Sequence, residues 1–83
     1  MNNIKHKLTL DRPATYQIKV PGALDKRWVG WDEDLNITVE SNDDDLSVTT
    51  IIVTVDQAAL QGLLRRLYSL GLPLISVVWI DFN

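Results

Sequence analysis

Apolar and polar residues change rhythm several times along this chain, and each rhythm predicts an element. Tyr16-Gln17-Ile18-Lys19-Val20 alternates with period two, as a half-buried strand does, and Pro21-Gly22 behind it marks a turn. Upstream, Ile4, Leu8 and Leu10 share a parity with His6, which suits an edge strand or an ordered arm. From Ala23 to Asp34 the alternation stops. Leu24, Trp28 and Trp31 stand at the spacing of neighbours on a helix, so a short helical turn or compact loop is expected, its tryptophans folded over a sheet edge. Leu35 to Glu40 alternates again, with Leu35, Ile37 and Val39 inward. After the turn-forming stretch Ser41 to Asp45, the segment Leu46 to Val55 is rich in Val, Ile and Thr. The two runs predict a hairpin.

The period then shifts from 2 to 3.6. Leu60, Leu63, Leu64 and Leu67 fall on one apolar stripe, with Gln57, Gln61, Arg65 and Ser69 away from it. Asp56 can cap the first turn, and a capping box from Thr54 to Gln57 is the alternative. Gly71 suits the left-handed residue that ends a helix, Leu72 can reach back to Leu67, and Pro73 forbids continuation. Ala58 and Gly62 form a small-residue pair on the side of this helix, where another backbone could come close.

The last strand, Leu74 to Phe82, is apolar on both parities, the mark of a strand covered on both faces. Val48, Thr50 and Ile52 against Ile51, Val53 and Val55 make the preceding strand nearly two-faced as well. One helix covers one face. The tryptophan segment, the N-terminal arm or a second subunit must cover the other.

Together these elements predict an α+β fold. A small antiparallel sheet is built in the chain order strand, tryptophan loop or short helix, strand, strand, helix, strand, with the one helix packed on one sheet face. Residues 1–14 read as an N-terminal arm and 15–83 as a single domain; there is no internal repeat or linker.

With 83 residues the chain is one small domain with little core to spare, and association with another copy is the remaining stabiliser. The absence of cysteine excludes disulfides, thiolate zinc sites and a Cys nucleophile. A formal charge of −3 argues against a nucleic-acid binder. No apolar run is long enough to span a membrane and the first residues lack a secretion signal, so no membrane association and a cytoplasmic location are expected. Charge is uneven. Residues 1–30 carry six basic and two acidic side chains, residues 31–56 eight acidic and none basic, which favours pairing of the first strand region with the hairpin.

The string Asp56-Gln57-Ala58-Ala59-Leu60-Gln61-Gly62-Leu63-Leu64, followed by Leu70-Gly71-Leu72-Pro73-Leu74-Ile75-Ser76-Val77, resembles a group of short uncharacterised bacterial proteins. In that group the same helix and turn follow a hairpin, and an Arg-Trp-x-x-Trp element lies upstream, matched here by Arg27-Trp28-Val29-Gly30-Trp31. The resemblance spans roughly residues 15 to 80. It implies no activity, and the stretch before Arg12 is extra to it.

Candidate chemistry is sparse. Asp43-Asp44-Asp45 offers oxygen ligands but lacks the spaced pattern of a calcium loop, and reads as a solvated hairpin tip. Asp32-Glu33-Asp34 reads as a solvated loop, and His6 as an arm residue. Arg65 and Arg66 read as a solvated helix face. No metal or cofactor is expected. The candidate interface or ligand residues are Arg27, Trp28, Trp31 and Trp79, because three tryptophans are many for this length and Trp is enriched at interface hot spots. The expectation is a non-enzymatic module for protein interaction or regulation, a homo-oligomer with a dimer favoured, or one that engages another protein. The alternative is a small-molecule-binding regulatory domain with a pocket between helix and sheet or at the Trp28/Trp31 lid. An enzyme ranks last, since it needs the carboxylates between Asp32 and Asp45 to gather around Arg27.

Overall fold

The computed structural model describes residues 8–25, 36–41 and 47–81. Four strands, β1 (Ala14–Pro21), β2 (Asn36–Ser41), β3 (Ser47–Val55) and β4 (Ser76–Asp81), form one antiparallel sheet. A single helix, α1 (Gln57–Ser69), lies between β3 and β4 in the chain. The order across the sheet is β2-β3-β1-β4, so β1 and β3 are central. This is the α+β architecture expected, with the β2–β3 hairpin in place.

Strand parity decides which side is the core. Ala14, Tyr16, Ile18 and Val20 of β1 are buried, and opposite them in register stand Val55, Val53, Ile51 and Thr49 of β3, also buried. α1 brings Leu60, Leu63 and Leu67 to this cluster, with Leu64 and Leu72 half-buried beside it. The other face carries Thr15, Gln17 and Lys19 of β1 with Val48, Thr50 and Ile52 of β3, all of them half-buried. β1 pairs with β3, so the first strand region does lie against the hairpin.

The helix ends follow their local chemistry. Asp56 is the N-cap, its carboxylate accepting from the Ala59 N–H at 2.8 Å. The capping-box alternative does not form: Thr54 pairs with Thr15 through their hydroxyls at 2.7 Å, and the Gln57 side chain donates instead to the Tyr16 hydroxyl at 2.9 Å. At the other end Gly71 takes φ +80°, donating to the Tyr68 carbonyl at 2.9 Å while Leu72 donates to that of Leu67 at 3.1 Å. These are the two bonds of a Schellman motif. Removing the cap in Asp56→Ala is expected to cost about 0.5–2 kcal/mol. A thermal melt at fixed protein concentration checks it, with a fall of about 4–8 °C for each kcal/mol lost.

Three expectations change. Residues 8–13 are neither strand nor bridge; Thr9 and Asp11 bond through their side chains, the Arg12 N–H bonds the Thr9 hydroxyl, and the Leu10 carbonyl accepts from the Gln57 N–H. This part of the arm is an ordered turn that leads into β1 and bonds to the start of α1, the ordered arm rather than the edge strand, and Ala14, read as its last residue, is buried in β1. In β2, Val39 shares the core face with Ile37 but is 44% exposed, because the helix stripe gathers over β1 and β3 and leaves the sheet's rim open. Finally, within the single chain the large apolar residues of β4 stay exposed on both faces. β4 is an edge strand.

Candidate functional site

Through the Schellman turn and beyond it, from Leu67 to Ile80, the chain has no charged residue between Arg66 and Asp81. Its last part becomes β4, which pairs with β1 on its inner side; among the described residues no strand lies on its outer side. The register sets Val77 opposite Ile18 and Trp79 opposite Tyr16, on the helix face, while Val78 lies opposite Gln17 on the other. The register then shifts, so that Thr15 faces Asp81 and Ile80 is the extra residue of a bulge.

Neither face of β4 is closed. Leu74, Ile75, Val77, Val78, Trp79 and Ile80 are 47, 54, 38, 45, 37 and 45% exposed. On the helix face, Ile18 and Tyr16, the β1 partners of Val77 and Trp79, are 0 and 3% exposed, so the core ends abruptly between β1 and β4. Large apolar side chains scattered singly over a surface are unremarkable, but six among the seven residues Leu74 to Ile80, four of them on the edge strand itself, form a patch of the kind that marks an interaction site. The strip extends back over the helix end, where Tyr68 is 81% and Leu70 38% exposed. A shallow depression there is lined by Tyr68, Gly71, Leu72 and Pro73.

A second arrangement anchors the chain where it leaves β1. Thr49 is the one buried polar residue among those described, and its hydroxyl is fully used. It donates to the Gly22 carbonyl at 2.6 Å and accepts from the Leu24 N–H at 2.9 Å, while the Gly22 N–H, at φ +92°, bonds the Ser47 carbonyl at 2.8 Å. Leu24 is thereby pinned into the core at 5% exposure, immediately before the Arg27–Trp31 segment.

Of the candidate residues, Trp79 stands on the exposed strand. Arg27, Trp28 and Trp31 lie outside the described residues, as do Asp32-Glu33-Asp34, Asp43-Asp44-Asp45 and His6. The space between helix and sheet is filled: Ile18, Val20, Ile51, Leu63 and Leu67 have no exposed surface. Ala58 and Gly62 are both exposed. Among the described residues no three His, Asp or Glu side chains gather as a metal site, and no helix is long and apolar enough to cross a membrane. Reading the sequence singled out only Trp79 within β4. The signal that marks its neighbours is the uncharged run ending at Ile80, whose strand part Ser76 to Ile80 has no Lys, Pro or inward charge of the kind that usually blunts an edge.

The model of a domain family, Domain of unknown function (DUF8691), matches residues 15–78, from β1 into β4. The chain belongs to this family. The DUF8691 match takes in the hairpin, α1 and the Schellman turn and leaves residues 1–14 outside it. No curated protein and no solved structure matches the chain.

Proposed function

We propose that this DUF8691 chain is a non-enzymatic module that associates with itself, as a dimer, in a bacterial cytoplasm. The family's marks would be the Arg27-Trp28-x-x-Trp31 element and the Asp56–Leu64 helix with its Leu70–Val77 turn and strand. The observation that carries the reading is the edge strand β4, whose four large apolar residues Val77 to Ile80 are exposed on both faces and continue the exposed pair Leu74 and Ile75 just before it. Apolar surface left in water forgoes about 25 cal/mol per Å², and a second chain is the simplest means of covering it. The small size of the domain adds to this, since association supplements a core that one chain of this length can scarcely enlarge.

Multi-angle light scattering of the purified chain over about 1–100 µM tests the reading, because mass action makes a dimer's population depend on protomer concentration. A mass rising to twice that of the chain is the expected result. A mass that stays at one chain throughout overturns it.

A further inference from the structure

We infer that the seam between two copies is β4 against β4, antiparallel about a two-fold axis, giving a continuous eight-stranded sheet in the order β2-β3-β1-β4-β4-β1-β3-β2. The inference rests on the self-association proposed above and names the surface and the occupant.

Charge placement selects this arrangement. Asp81 is the only charged residue after Arg66, and it ends β4. A parallel pairing in register would bring the two Asp81 residues side by side, and like charges directly opposite are destabilising. An antiparallel pairing centred on Val78, the midpoint of Ile75–Asp81, holds them six residues apart, about 20 Å along the strands. Each Asp81 end then comes beside the Ser76 end of the other β4. There β1 contributes Lys19, the register partner of Ser76, so each acidic end meets a basic one. The same two-fold brings Trp79 opposite Val77 of the partner subunit on the helix face, an aromatic against a β-branched side chain, which is a favourable cross-strand pair. It brings Val78 opposite Val78 of the partner subunit on the other face.

The second edge of the sheet does not compete. β2 presents Asn36, Thr38 and Glu40 on one face and only Ile37 and Val39 as large apolar residues on the other. A two-fold between identical surfaces closes on itself, which suits a patch that is self-complementary.

The chain contains no cysteine, so one introduced thiol reports one position. In Val78→Cys the two sulfurs face each other across the axis at a separation a disulfide tolerates, since directly opposed Cα atoms lie about 4.5–5.5 Å apart. Val39→Cys, on the opposite edge and similarly exposed, is the control. Both sites are solvent-accessible, so the core is left intact, and light scattering under reducing conditions confirms that each variant retains the parent's mass. On mild oxidation at a concentration where the parent chain is dimeric, Val78→Cys is expected to give at least about tenfold more covalent dimer than Val39→Cys. Equal yields, or an excess from Val39→Cys, overturn the β4 seam while self-association itself stands. A parent chain that is monomeric at every concentration, with no excess from Val78→Cys, overturns both and leaves the edge to a different protein.

Discussion

Leu63→Ala is expected to lower the unfolding free energy by about 2–5 kcal/mol, among the largest losses of any single truncation in α1. Leu63 has no exposed surface and sits at the middle of the helix's apolar stripe, in one cluster with Ile18, Ile51 and Leu67, themselves fully buried. The cost has two parts: the transfer energy of the lost carbons and a cavity that the rigid sheet beneath cannot collapse to fill. Small domains are stable by only about 5–15 kcal/mol, so this one change removes a large share. A urea titration at fixed protein concentration reads it as a fall in the midpoint at unchanged slope. Leu64→Ala, at a half-buried position one residue along, is the internal comparison and shifts the midpoint less. Equal shifts would contradict the placement of the stripe.

The second large effect is expected from Thr49→Val, which keeps the shape of the side chain and removes only its hydroxyl. That hydroxyl serves two backbone groups at once, the Gly22 carbonyl and the N–H of the buried Leu24. Each buried polar group left without a partner costs about 1–3 kcal/mol. The loss is also local, because the two bonds fasten the exit from β1 to the start of β3. Amide exchange at Leu24 should therefore accelerate more than at Leu63, whose protection reports on the whole core. If both amides accelerate by the same factor, the hydroxyl contributes to global stability alone and the local anchor is refuted.

How far the fold could be read from sequence follows from the range of each interaction. α1 was legible almost to the residue, since its stripe, its Asp56 cap and its Gly71-Leu72-Pro73 stop are all encoded within a few positions of one another. The hairpin was legible for the same reason. Strand order was not. β1 alternates Thr15, Gln17 and Lys19 with its buried residues and so looks like any half-exposed strand, yet it lies at the centre; β4 is apolar on both parities and lies at the rim. Pairing β1 with both β3 and β4 is a long-range choice that leaves no local trace. The rule that a two-faced apolar strand is covered on both sides failed at β4 within a single chain. Thr49 gave no warning either, because a threonine in a Val/Thr-rich strand is indistinguishable from its neighbours until the Gly22 turn is folded against it. Of the candidate site, Trp79 is named from its residue type, and Leu74, Ile75, Val77, Val78 and Ile80 are marked together as a run apolar on both parities that one helix cannot cover; their place at a sheet edge is not legible.

The unequal rims of this sheet bear on how far assembly can proceed. One rim is greasy and the other, β2, alternates Asn36, Thr38 and Glu40 with its few apolar residues. Were two greasy rims to meet, the rims left outward would alternate polar residues with Ile37 and Val39, so a third molecule would find less apolar surface to extend. In the dimer proposed above, the polar residues of β2, the strand farthest from the proposed seam, would work against fibre growth.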